Sequence, residues 1–119
     1  MFLRLNHQKL DLYQFSGPFV LECYKITKAF PPEERFILVA RICRWPLSVH
    51  LNIAEGASRK SLSERKRFYE IARESIVEIG AALDISYDLN YCTEKNLEQL
   101  GFLMIKCFKI LCDLINSNQ

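Results

Sequence analysis

The stretch Leu51-Asn52-Ile53-Ala54-Glu55-Gly56-Ala57-Ser58-Arg59-Lys60 decides how the rest of the chain is read. Its first half ends an apolar helical stripe; a glycine, two small residues and two cations then interrupt it, and Ser61-Leu62-Ser63-Glu64 opens a new one. On the N-terminal side Phe36, Val39, Ile42, Cys43, Val49 and Ile53 recur at helical steps; on the C-terminal side Phe68, Ala72, Ser75, Ile79, Ala82 and Ser86 do the same. The stretch therefore joins two long helices, expected over about residues 33–57 and 62–89. Gly56 is expected to end the first as a left-handed cap. Ser61, with glutamate three residues later, is expected to cap the second.

Two further helices flank this pair. Leu12, Phe15, Phe19, Cys23, Ile26 and Phe30 share one face of a helix over about 10–29. Gly17-Pro18 interrupts it, so that either the helix kinks there or Ser16 caps a helix beginning at Pro18; the kinked form is the preferred reading. Pro31-Pro32-Glu33-Glu34 stops this helix and starts the next. Pro46 predicts a bend near Trp45, with the carbonyl of Ile42 losing its usual partner. Thr93 caps a last helix over about 94–116, and residues 1–9 read as a loosely held arm. Short connections without a strand pattern describe one all-α domain over 1–119, an antiparallel up-and-down four-helix bundle with kinks near Pro18 and Pro46.

The last helix is too apolar for one core. Of the 22 residues from Glu94 to Ile115, 13 are apolar, and the polar side narrows to a line through Gln99, Lys106, Lys109 and Asp113. A helix covering a single core needs an apolar stripe of little more than ~100°. The surplus predicts a homo-oligomer, with a subunit interface covering it.

Composition excludes more than it assigns. A net charge of +2 on 119 residues does not by itself argue nucleic-acid binding; only local clustering does. Cys23, Cys43, Cys92, Cys107 and Cys112 form no Cys-x-x-Cys pair, and no secretory signal is seen at the N-terminus. These features predict reduced thiols packed as small hydrophobes and a cytoplasmic location. No apolar run approaches the ~20 residues of a membrane span, so no membrane partner is expected.

Phe30-Pro31 with Glu34, Ile42 and Arg44, Ser48-Val49 before Asn52-Ile53-Ala54-Glu55-Gly56, and Ser61, Phe68, Ala72, Ser75 and Glu78 downstream make a recognisable pattern. It resembles the bacterial four-helix-bundle proteins first noticed as reading frames inside intervening sequences of 23S ribosomal RNA genes. The similarity runs from about Leu10 to Ile115. That group is also similar to the accessory protein of diversity-generating retroelements, which works with a reverse transcriptase and RNA. The resemblance implies a four-helix bundle assembled as a ring-like homopentamer, without an established activity. This chain departs from the pattern at Trp45-Pro46, where two small residues are usual, and at His50, where a proline is usual.

The polar positions that match the pattern are Asn52 and Glu55 on one helix and Ser75 and Glu78 on the next. Each pair is spaced to share a helix face, and two antiparallel neighbours could bring the pairs together beside Gly56. Such a cluster serves either as a carboxylate pair for acid–base or metal chemistry, or as a structural network that fixes the turn; the structural reading is preferred. No Glu-x-x-His is present for a dimetal site, no Gly-x-Ser-x-Gly, no Walker loop and no dinucleotide fingerprint. His50 and Cys43 are seven residues apart and read as core packing. No catalytic residue, metal or cofactor is expected.

One local charge anomaly remains. Arg59, Lys60, Arg65, Lys66 and Arg67 crowd five cations into nine residues at the start of a helix, where the macrodipole prefers anions. Folding alone would not select that arrangement, whereas a nucleic-acid backbone would benefit from it, and an oligomer would repeat it. The competing reading is a solvated face with Lys66–Glu70 and Arg67–Glu70 pairs. The sequence thus predicts a non-enzymatic oligomeric scaffold that engages RNA, DNA or a nucleic-acid enzyme through these cations. A purely protein-binding oligomer comes second, and a small enzyme using Glu55 and Glu78 third.

Overall fold

A computed structural model describes residues 11–117. Its elements are α1 (Asp11–Thr27), a 3₁₀ turn (Pro32–Glu34), α2 (Leu38–Ser58), α3 (Leu62–Asp88) and α4 (Glu94–Asn116). There are four helices and no strand among the described residues, in agreement with the expected bundle. The proposed arm at residues 1–9 lies outside the described residues, as does the first residue of the expected opening helix. Each helix packs on its neighbours in sequence, and α1 closes on α4, so the four form a square with no diagonal contact among the described residues. At ~1.5 Å per residue the 27-residue α3 is about 40 Å long, which accounts for the 43 Å long axis of the molecule.

The core is built from part of the stripes that the periodicity marks; Phe36, expected on the α2 stripe, lies before α2 and is exposed. Leu12, Phe19 and Cys23 of α1 meet Ile42, Val49 and Ile53 of α2. Ala72, Ile76, Ile79 and Leu83 of α3 and Leu100, Leu103, Cys107 and Leu111 of α4 complete it. All five cysteines are free thiols. Burial pushes the Cys23 thiol well above its ordinary value and the Cys107 thiol up to about 12, so both stay neutral and pack as small apolar groups.

Both internal prolines lie within continuous helices. Ser16 is buried inside α1; it does not cap a helix starting at Pro18. Its Oγ lies 2.6 Å from Nδ1 of His50, whose ring packs against Tyr13 at 4.2 Å between centroids. Cys43 likewise meets Thr27, with Sγ 3.4 Å from Oγ1. The α1–α2 contact is thus fastened by side-chain hydrogen bonds at two levels. His50 therefore has a local structural role.

Three boundaries differ from the sequence expectation. The first helix stops at Thr27, two residues early. The second begins at Leu38 rather than at residue 33. Pro31 is extended (φ −66°, ψ 152°), as a residue before proline must be, and the Pro32–Glu34 turn does not propagate because Ile37 leaves the helical region (φ −114°, ψ −89°). The third difference is Gly56. It has no positive φ and lies inside α2, which continues to Ser58 and ends on an extended Arg59. The glycine is needed for space: a Cβ there would lie 2.8 Å from Cε1 of Tyr69 and 3.1 Å from Cβ of Phe68. It allows α2 and α3 to approach closely where they meet. The left-handed cap belongs instead to Asn90 (φ 65°) after α3. There the Asn90 amide donates to the Tyr87 carbonyl and the Tyr91 amide to the Ser86 carbonyl, each at 2.9 Å, the paired bonds of a Schellman ending.

Candidate nucleic-acid interface

The α2–α3 turn is short because three residues suffice to reverse the chain. Arg59 and Ser61 are both extended, and the Ser61 hydroxyl accepts from the Glu64 amide at 3.4 Å to cap α3. The five cations therefore cluster around one corner of the bundle. The structure divides them. Arg59 pairs with Glu55 at 3.2 Å, the one ion pair among the described residues, and its guanidinium lies over the Phe68 ring at 5.1 Å. Arg65 donates from Nη2 to the Lys60 carbonyl at 3.0 Å, tying the turn to the first coil of α3, while its Nε is buried without a partner. Tyr69, packed beneath, has its phenol raised by burial, with Arg65 acting in the opposite direction. Arg59 and Arg65 thus serve the turn itself.

Lys60, Lys66 and Arg67 do not. Lys60 and Arg67 are exposed and Lys66 is half-buried, and none forms an ion pair among the described residues. The pairs of Lys66 and Arg67 with Glu70 are not formed. Three cations therefore stand free beside a helix start, where they oppose the macrodipole.

The second group of sequence candidates does not gather into one cluster. Asn52 turns back along its own helix, with Nδ2 2.8 Å from the Ser48 carbonyl and 3.1 Å from its Oγ. Glu55 serves Arg59 and Ser58 at the turn. Ser75 is half-buried on α3, and Glu78 is exposed further along it. Glu78 shares a groove with Trp45, which lies ten residues before Glu55 on α2, or about 15 Å along the axis. The two carboxylates therefore do not form an acid–base pair, and Gly56 stands apart from both in its steric role. Among the described residues no three of His, Cys, Asp and Glu are placed to hold a metal ion.

The groove beside Trp45 has no counterpart in the sequence reading. It lies between α2 and α3, has a volume of about 440 Å³, and takes its walls from Trp45, Ile37 and Ile85 over a floor of Ala81 and Ala82. Arg41 lies over the Trp45 ring at 6.0 Å. The signal was present in the sequence: an alanine pair on one helix set opposite a tryptophan on its antiparallel neighbour. On α4, Phe102 is 50% and Ile105 69% exposed, which is where the surplus apolar surface emerges.

These features define a compact helical bundle with a basic corner and uncovered apolar faces. Residues 8–113 match the model of the 23S rRNA-intervening sequence protein family, and the chain belongs to that family. It is also similar in fold to a crystal structure from Bacteroides thetaiotaomicron, described as a protein of unknown function from the S23 ribosomal protein family. The TM-score is 0.81 at 20% identity, over 89% of this chain and 99% of that one. No curated protein matches the chain. None of the described helices is long and apolar enough to cross a membrane.

Proposed function

We propose that the protein is a non-enzymatic, cytoplasmic homo-oligomer, a pentameric ring by analogy with the proteins it resembles, and that it binds the backbone of RNA or DNA through its α2–α3 corner. A nucleic-acid enzyme would be its working partner, as for the retroelement accessory protein. The observation that carries the reading is the split within the basic cluster. Arg59 and Arg65 are engaged by the turn, which leaves exposed Lys60 and Arg67 and half-buried Lys66 without an ion-pair partner among the described residues. Side chains that the fold does not use, at a site that folding disfavours, are best explained by an anionic partner. Uncovered Phe102 and Ile105 support self-association. Repetition around an assembly would convert three weak phosphate contacts per subunit into useful avidity. Glu55 serves the turn while Glu78 lines the groove beside Trp45, and this separate placement favours binding over catalysis.

The test is the salt dependence of binding to a single-stranded RNA. If all three cations of one subunit contact phosphates, log K falls with log salt with a slope of about −2, near −0.7 per contact. The triple variant Lys60→Glu, Lys66→Glu, Arg67→Glu, with Arg59 and Arg65 intact, is expected to abolish binding while the protein stays folded. Unchanged binding in that variant would refute the assignment.

A further inference from the structure

We infer that the α2–α3 groove is the seat for the outer face of α4 from a second copy of this chain. The inference rests on the oligomeric reading above and supplies its contact. The groove has a definite order along its length. Glu78 stands at one end of its lining, and Glu74, exposed, precedes it by one turn of α3 just beyond the groove; the Ala81–Ala82 floor comes next, beside Trp45; Ile85 closes the row, and Arg41 stands at that end on α2. The outer face of α4 has an order of its own. Glu98, Phe102, Ile105, Lys106 and Lys109 are all exposed and fall within one side of the helix.

The two rows match when the helices run antiparallel. From Glu74 to Ile85 is eleven residues, and from Glu98 to Lys109 is also eleven, about 17 Å in each case. With Lys109 of one copy opposite Glu74 of the other, Lys106 comes opposite Glu78. Phe102 then lies over the alanine floor against Trp45, where small side chains leave room for a ring, and Glu98 reaches Arg41. The parallel alignment fails, because it sets Glu98 on Glu74 and Lys109 on Arg41, like charge on like charge at both ends. Charge therefore selects both the occupant and its direction.

The two surfaces are different faces of the molecule, so the contact is heterologous. Each copy offers its groove to one neighbour and its α4 to another, and the chain of contacts ends only by closing into a ring or continues as a filament. An assembly of this kind repeats the basic α2–α3 corner at regular intervals.

Sedimentation velocity on the full chain, with charge-reversed variants, tests the contact. Glu74→Lys with Glu78→Lys, and separately Lys106→Glu with Lys109→Glu, are each expected to weaken self-association at least about tenfold. Combining all four substitutions in one chain is expected to restore it, since the attraction is rebuilt with its signs exchanged. All these side chains are exposed, and circular dichroism of each variant establishes that it remains folded. Trp45, the single tryptophan, gives a second readout: its emission is expected to shift to the red as the wild-type assembly is diluted apart. A wild-type protein that is monomeric at every concentration overturns both this contact and the oligomeric reading. An assembled wild type whose reversed variants stay assembled, whose four-fold swap gives no rescue, or whose Trp45 emission ignores dissociation overturns the contact alone.

Discussion

The two ends of the bundle are built on different principles. At the end where α1 turns into α2 and α3 into α4, the connections hold one another. The Tyr91 hydroxyl donates to Glu34 Oε2 at 2.9 Å, the Phe30 and Tyr91 rings pack at 5.4 Å, and α3 finishes in a Schellman ending. A reciprocal capping box between Thr93 and Asn96 starts α4. Tyr91, Glu34, Thr93 and Asn96 there are consumed by the fold. At the opposite corner the Ser61 cap is long, and three of the five cations have no partner among the described residues. One end ties its two connections to each other; the other holds its turn with Arg59 and Arg65 and leaves Lys60, Lys66 and Arg67 uncommitted. The contrast separates what the chain needs to fold from what it holds available for something else.

The sharpest way to break this contrast is at Gly56, where the basic corner does depend on packing. Gly56→Val should cost ~1–3 kcal/mol by overpacking against Tyr69, read as a lowered denaturant midpoint. Its control is Gly101→Ala on α4, where an added Cβ meets nothing within 4 Å; stability should rise there by ~0.5–1 kcal/mol. Next in size is the tied end. Thr93→Ala removes the acceptor for the Asn96 amide and should cost ~1 kcal/mol in the same assay. Smaller still is the effect of Lys66→Ser with Arg67→Ser, which should stay within ~0.5 kcal/mol of wild type in stability while weakening RNA binding. A large loss of stability in that variant would mean that the fold uses these cations after all.

The smallest effect expected is an alkaline one, confined to the tied end. The hydrogen bond to Glu34 raises the Tyr91 phenol, and the Glu94 charge raises Tyr87. A phenol raised in the folded protein keeps its proton longer than in the unfolded chain. The stability these contacts contribute is therefore complete below the ordinary value of 10.0 and is lost as pH rises through the raised values. Amide exchange near Asn90 should accelerate there, and Tyr91→Phe should remove part of the pH dependence.

The bundle was legible in the sequence because its causes are periodic. The four helices, the Thr93 cap and the apolar excess of α4 appear in the structure where residue spacing put them; on α3 the buried row is Tyr69, Ala72, Ile76, Ile79, Leu83 and Ser86, so that Phe68, Ser75 and Ala82 of the expected stripe lie at its edge. Gly56 was misread because its cause is not local. A glycine after an apolar run signals a cap in sequence terms, but here the reason for it sits on another helix, in the ring of Tyr69. Asn90 followed by an apolar Tyr91 carried the true cap signal. The polar positions Asn52, Glu55, Ser75 and Glu78 looked like a cluster because each pair shares a helix face. Which faces meet depends on the register between α2 and α3, and single-helix spacing does not contain that. The engagement of Arg65 was hidden for a related reason: its partner is a backbone carbonyl, which charge counting does not register, whereas the Glu55–Arg59 pair is spaced four residues apart on one helix and was open to such a count.

The square arrangement has a consequence for the ribosome. α2 and α3 are joined by a three-residue turn and can pair as soon as both have emerged. α4 is made last, yet it alone joins α3 to α1 and closes the ring of helices. Until it arrives, Ile79 and Leu83 are left without the neighbour they have in the finished protein. A nascent chain stopped before Glu94 should therefore hold a formed hairpin with a bare apolar side, visible as dye binding that disappears once the last 26 residues are added.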